Sequence, residues 1–107
     1  MTYTRFEDLP VWKDSQALAL GVFELTAGYS DRLPWSLRDQ LERAALSISN
    51  NIAEGFERGT TNELLAFIYI ARGSAGEVRS MLTLKMRRAG NSGWPGGLKS
   101  QISDLIA

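Results

Sequence analysis

The chain has 107 residues, of which 44% are apolar and 22% are charged, so it has room for one domain with an ordinary globular core. It contains neither cysteine nor histidine, which excludes disulfides, thiolate nucleophiles, Ser–His catalysis and the usual zinc sites. Twelve basic and twelve acidic residues give a formal net charge of zero, which does not indicate a globally basic nucleic-acid binder. We therefore expect no catalytic residues, no cofactor and no metal.

The charges are unevenly distributed along the chain. Residues 1–57 contain five basic and nine acidic residues, whereas residues 58–107 contain seven basic and three acidic residues. Such an imbalance can create a basic surface on a neutral protein, although ordinary solvated helix faces are the commoner explanation. The N-terminus has no secretory-signal pattern and no segment approaches about 18 consecutive apolar residues. We expect a cytoplasmic protein that does not associate with membranes.

The first predicted element is a helix from about Pro10 to Ala27. A first turn tolerates proline, Asp8 is placed to cap the helix and Gly28 to end it. Two apolar rows recur at three- and four-residue spacing: Leu9, Trp12, Ala19, Leu20 and Phe23 in one, and Leu18, Val22, Leu25 and Tyr29 in the other. Residues 30–35 are predicted to form a loop, broken at Pro34.

A second helix follows this loop. Ser36 and Asp39 resemble a capping box, and glycines at positions 55 and 59 bracket the fraying end. Its apolar stripe has helical period and consists of Leu37, Leu41, Ala44, Ala45, Ile48, Ile52 and Phe56.

The third helix has the clearest start signal of the chain, because Thr60 and Glu63 form a standard capping box. Its apolar seam is nearly heptad and consists of Leu64, Phe67, Ile68, Ala71, Ala75, Val78 and Leu82. The helix is predicted to reach about Arg88 and to stop at Gly90, with cations in its last turn that complement the helix dipole.

Residues 91–97 form the only Gly-rich stretch and are predicted to be a linker, since they lack the spacing of a phosphate-binding loop. Residues 98–107 carry one apolar face and predict a short fourth helix. Three long helices and one short helix joined by short loops indicate an all-α, up-down four-helix bundle that occupies residues 1–107 as a single domain. The apolar coverage of the first and third helices exceeds what one small bundle buries, which predicts a homo-oligomer. The apolar residues off the main seam of the third helix are Leu65, Tyr69, Ile70 and Leu84.

A row of polar residues follows one narrow face of the second helix: Gln40, Arg43, Ser47, Asn51 and Glu54. Such a row is typical of a solvated face or of a polar seam that fixes the register between helices. A binding groove or the lining of an oligomer channel is the functional alternative.

On the third helix, Gly73 and Gly76 flank Ser74, and each glycine costs roughly 1 kcal/mol relative to alanine in a helix interior. This cost predicts the close approach of another backbone near residues 47–51. Glu77 is then placed to reach Arg43. An enzyme that uses Glu54 or Glu77 is a further alternative, although without histidine the chain has no Glu-x-x-His metal spacing.

Three segments resemble one known family: FEDLPVW at Phe6–Trp12, DQLERAALSISNNIAEGF at Asp39–Phe56, and FIYIARGSAGEV at Phe67–Val78. Their order and spacing resemble those of the 23S rRNA intervening-sequence proteins. The resemblance implies a four-helix bundle that assembles into a ring, typically a homopentamer. It also implies kinship with the accessory protein of diversity-generating retroelements, which uses a similar barrel to bind reverse transcriptase and RNA.

The chain departs from the family pattern at two places. Ser49 stands where the family usually has proline, so any kink in the second helix should be weaker. The region after residue 88 is short and Gly-rich, whereas the fourth helix of the family is normally long and often rich in lysine. The family carries no catalytic residues to transfer.

These observations predict a non-enzymatic, oligomeric scaffold with RNA as the favoured ligand. The expected RNA contacts are Arg58, Arg72, Arg79, Lys85, Arg87 and Arg88, repeated by the oligomer so that weak phosphate contacts add up. The alternative is a protein–protein adaptor without a nucleic-acid role, whose partner binds the exposed apolar row or the polar stripe.

Overall fold

The computed structural model describes residues 2–28 and 33–88. Within them, a short 3-10 turn at Phe6–Asp8 precedes three α-helices: α1 at Pro10–Gly28, α2 at Trp35–Glu57 and α3 at Thr61–Arg88. This part of the chain contains no strand, which confirms the predicted all-helical class. The predicted linker at residues 91–97 and the predicted fourth helix at residues 98–107 lie outside the described residues.

The helix α2 occupies the centre of the fold. It packs against both α1 and α3, whereas no Cα atom of described α1 residues lies within 8 Å of a Cα atom of α3. The core residues at the centre of the three helices come from the predicted apolar rows. They are Leu18, Val22 and Leu25 of α1, Leu41, Ala45, Ile48 and Ile52 of α2, and Ala71, Ala75, Val78 and Leu82 of α3.

Two predicted helix caps are wrong and one is confirmed. Asp8 lies in the 3-10 turn, 3.6 Å from Arg5, and does not cap α1. The N-cap position of α2 is Pro34, without a side-chain hydrogen bond. Ser36 is therefore already inside the first turn, because the helix begins two residues earlier than the capping pattern predicted. At α3, the hydroxyl of Thr60 caps the helix, since it accepts a hydrogen bond from the backbone N–H of Glu63 at 3.2 Å. The carboxylate of Glu63 accepts from the hydroxyl of Thr60 at 3.0 Å.

The two glycines near the end of α2 have different roles. Gly55 is buried inside the helix, where an added Cβ would lie 2.5 Å from the Cβ of Phe67 and 3.3 Å from the Cα of Leu64. It permits close packing of α2 on α3 and does not mark the fraying end that we predicted. Gly59 has a φ of 89°, the left-handed conformation that favours glycine. It turns the chain within the three residues that join α2 to α3.

Buried hydroxyl groups accompany the contact between α1 and α2. The hydroxyl of Thr26 donates to the carboxylate of Glu42 at 2.6 Å, which links the two helices. Arg38 lies 3.8 Å from the same carboxylate oxygen. Ser49 is also buried, and its hydroxyl donates to the carbonyl of Leu46. The helix is continuous through this position.

Candidate nucleic-acid interface

The centre of the polar stripe of α2 lies in the contact with α3, whereas the two ends of the stripe lie on the surface. The hydroxyl oxygens of Ser47 and Ser74 are 3.0 Å apart. The amide of Asn51 donates to the hydroxyl of Ser47 at 2.9 Å and to its carbonyl at 2.7 Å. Ser74 is buried. Because these groups satisfy one another across two helices, they form a polar seam that fixes register.

The ends of the stripe are solvent-exposed. Gln40, Arg43 and Glu54 all lie on the surface. The guanidinium of Arg43 lies 3.8 Å from Asp39 on its own helix. Glu54 accepts a hydrogen bond from the guanidinium of the arginine four residues later, at 3.2 Å. The ends therefore behave as an ordinary solvated helix face with i,i+4 ion pairs.

The predicted pairing of Glu77 with Arg43 is wrong. Arg43 is paired with Asp39, and Glu77 is exposed without an ion pair to any described residue. Glu54 and Glu77 lie on different helices, and both are exposed. Within residues 2–28 and 33–88, no group of three or more carboxylates is placed to hold a metal ion.

Gly73 and Gly76 of α3 do not lie against another backbone, contrary to the prediction from the sequence. Apart from its chain neighbours and the adjoining backbone of α3, a Cβ added at Gly73 or at Gly76 would meet no atom within 4 Å. Both positions are exposed, whereas Ser74 between them is buried against α2. The helix turns by about 100° per residue, so the glycines point away from the helix that Ser74 touches. The close approach of another backbone that we predicted at Gly73 and Gly76 is therefore wrong, and it is Ser74 that contacts α2, through Ser47.

Three of the predicted basic residues share the outer side of α3. Arg72, Arg79 and Arg87 are exposed, and none of them has an ion pair with another described residue. Separations of seven and eight residues correspond to about two turns each, so the three side chains follow one line along the helix. We define this set as the arginine line. Its cations are available to an external anion.

The other predicted contacts are placed differently. Arg58 lies before α3, where its guanidinium is 3.2 Å from Glu54 and 4.0 Å from Glu63 and stands 5.2 Å from the ring centre of Phe67. Lys85 is half-buried, on another side of the helix from the arginine line. Arg88 ends α3, and its side chain lies outside the described part of the chain.

The part of the chain that matches a known family includes the helices α1, α2 and α3. The family model of the 23S rRNA-intervening sequence proteins matches residues 7–92, which is most of the chain. The chain belongs to this family. No curated protein matches it. In this family member, no helix of the described residues combines the length and the apolarity that crossing a bilayer requires.

The structure of this family member adds residues that we did not count among the predicted contacts. Tyr69 has 70% of its surface exposed, and it lies on the same side of α3 as the arginine line. Towards the C-terminal end of the helix, a pocket of about 440 Å³ opens on this side. Its described lining consists of Gly76, Arg79, Ser80, Thr83, Leu84 and Arg87. The sequence signal for Tyr69 is its position three residues before an arginine on the face opposite the apolar seam.

Proposed function

We propose that this chain is a non-enzymatic, oligomeric helical scaffold that binds RNA through the arginine line of α3. The observation that carries the proposal is that Arg72, Arg79 and Arg87 are exposed and have no carboxylate partner among the described residues. The family is named after an intervening sequence of 23S rRNA, and that context supports RNA as the polyanion.

Repetition in an assembly supplies the affinity that three arginines alone do not. Each phosphate contact is weak and depends on salt, because it releases condensed counterions. Several copies of the arginine line held in one assembly make later contacts intramolecular and raise the avidity. The resemblance implies a ring, typically a homopentamer, and a relationship to the accessory protein of diversity-generating retroelements. Both are part of this proposal.

The apolar surface of α1 supports the oligomer. Leu20 is 64% exposed, on the opposite side of α1 from its core residues, and Phe23 is exposed at the flank of that side. Leu46 of α2 adds a further exposed apolar side chain. Large exposed apolar residues on one small domain favour contact with another protein surface. We assign this side to contacts between subunits, which leaves the arginine line accessible.

The test is fluorescence anisotropy of a labelled, structured RNA, titrated with the protein from low to physiological salt. We expect saturable binding that weakens as salt rises. Arg79→Gln should lower the affinity and reduce the slope of log K against log salt by about one for each phosphate that the arginine neutralises. The matched control is Arg43→Gln, which removes an exposed arginine from α2 and should leave both quantities unchanged.

A protein–protein adaptor without a nucleic-acid role is the second candidate. The exposed apolar side chains at Leu20, Phe23 and Trp35 favour it, since they lie on α1 and α2, away from the arginine line. The same titration separates the two functions. Absence of RNA binding even at low salt would remove the RNA proposal and leave the adaptor.

A further inference from the structure

We propose that the outer side of α3 binds a single-stranded segment of RNA, with Tyr69 stacking on an unpaired base and Arg72 and Arg79 contacting phosphates. This inference rests on the proposed RNA-binding function and assigns the class of RNA that the site recognises.

The first observation behind this inference is the exposed aromatic residue Tyr69. Tyr69 is among the most exposed large side chains of the described residues, and its hydroxyl has no hydrogen-bond partner among them. Leu65, one turn earlier, is 48% exposed on the same side. A tyrosine ring next to an aliphatic side chain presents a flat apolar platform. Aromatic side chains that stack on bases are a common means of binding single strands without strong sequence preference.

The second observation is the position of Arg72 and Arg79 relative to Tyr69. Arg72 follows Tyr69 by three residues and is its neighbour on the helix surface. Arg79 lies about 10.5 Å further along the helix axis, given a rise of 1.5 Å per residue. A base stacked on Tyr69 therefore has one guanidinium beside it and a second one further along α3. This arrangement suits a phosphate backbone that runs along the helix.

The third observation is the open surface at Gly73 and Gly76. Gly73 and Gly76 lie between the two arginines, and apart from their chain neighbours and the adjoining backbone of α3, no atom lies within 4 Å of the place where their Cβ atoms would be. Without side chains at these positions, a sugar–phosphate backbone can approach the helix closely. The pocket lined by Arg79, Ser80 and Leu84 continues the surface beyond Gly76.

The combination favours a single strand over a duplex. In an RNA duplex the bases are stacked inside and the major groove is too deep and narrow for side chains to read, so an exposed Tyr69 would have no base face to contact. It also favours nucleic acid over an apolar protein partner. Burial in an apolar interface would desolvate Arg72 and Arg79 without a carboxylate to compensate them.

The test compares a labelled RNA of about ten nucleotides, a length within known single-strand site sizes, with the duplex of the same sequence, by fluorescence anisotropy. We expect the single strand to bind more tightly. Tyr69→Ala should weaken single-strand binding by about tenfold, as expected when one stacked base loses its aromatic partner, and leave duplex binding unchanged. Tyr69→Phe keeps the ring and should stay within about twofold of the original protein. The matched control is Ile70→Ala, which removes an adjacent exposed side chain on another side of the helix.

The outcomes separate this inference from the proposed function. If RNA binds but Tyr69→Ala has no effect on the single strand, or if the duplex is preferred, the inference is wrong and the arginine line alone explains binding. If neither RNA binds at low salt, both proposals are wrong. If Tyr69→Ala changes the oligomeric state in sedimentation equilibrium without changing RNA affinity, the residue belongs to a protein interface and the inference is overturned.

Discussion

The two sides of α3 differ in what their small residues do. On the inner side, alanines and Ser74 let the helix lie close to α2, and the larger Val78 and Leu82 are completely buried. On the outer side, Gly73 and Gly76 meet no neighbouring atom at all. Small residues on the inner side are explained by packing within the chain. Packing within the described residues does not explain the small residues on the outer side.

The same contrast separates two glycines with similar sequence surroundings. Gly55 and Gly76 both lie inside long helices, where glycine is unfavourable by about 1 kcal/mol relative to alanine. At Gly55 the packing of Phe67 against the backbone explains the residue. At Gly76 nothing within the described residues does. Substitutions on the packed side and on the exposed side therefore measure how much each side contributes to the free energy of unfolding.

The largest difference is expected for two leucines that are two residues apart on α3. Leu82 has no exposed surface, whereas Leu84 is 56% exposed. Leu82→Ala should lower the free energy of unfolding by about 2–5 kcal/mol, because it removes buried side-chain atoms and leaves a cavity. Leu84→Ala should stay within about 0.5 kcal/mol of the original protein. Urea unfolding at one fixed protomer concentration measures both, and equal destabilisation by the two variants would show that the outer side is buried in the assembly.

The next effect concerns Gly55→Ala. Its new methyl group would overlap Phe67 and crowd the backbone at Leu64, so the free energy of unfolding should fall by about 1–3 kcal/mol, as for other overpacked cores. The measurement is again urea unfolding. A variant as stable as the original protein would mean that α2 and α3 separate easily, and would contradict the close packing of these two helices.

The polar seam provides a smaller test. Ser74→Ala removes the hydroxyl that faces Ser47 and should lower stability by about 1 kcal/mol, the typical net contribution of one hydrogen bond. Ser80→Ala is the matched control, because Ser80 is exposed on the outer side. Thermal unfolding of the two variants should differ clearly. The seam would have no energetic role if both variants melted at the same temperature.

The smallest effect should have the opposite sign. Gly76→Ala should raise the free energy of unfolding by up to about 1 kcal/mol, since alanine favours the helix and no neighbour obstructs its methyl group. Chemical unfolding of the free protein measures this gain. A decrease in stability that depends on protein concentration would instead place a second chain against this glycine.

The sequence predicted the fold best where one period governs a long segment. Most of the predicted stripe of α2 and of the predicted seam of α3 is confirmed, because burial on one side of a helix requires that spacing. The exceptions are Leu37 and Phe67, which are half-buried and lie outside the core cluster. The capping box at Thr60 is confirmed for a local reason, since its hydrogen bonds involve only neighbouring residues. The 3-10 turn at residues 6–8 was missed, because so short an element has no period.

The side to which an individual residue points was harder to predict. Glycine carries no side chain whose polarity indicates burial. We therefore interpreted Gly55 as a helix end and Gly76 as a packing residue. The structure contradicts both interpretations, because Gly55 packs against Phe67 and Gly76 is exposed. The start of α2 was misjudged because Pro34 ends the extended backbone before Ser36 can act as a cap. Within the candidate site, the sequence identified the arginines. It did not separate Arg58, with its two carboxylate partners, from the unpaired arginines of α3.

The position of α2 between its two neighbours has a consequence for the order of folding. Only three residues join α2 to α3, so this hairpin forms its contacts at small sequence separation and with a low loop-closure entropy. The helix α1 contacts α2 and not the α3 backbone, so it adds to a hairpin that is already complete. Among the three described helices, folding should therefore begin at the hairpin, with α1 docking last and detaching first.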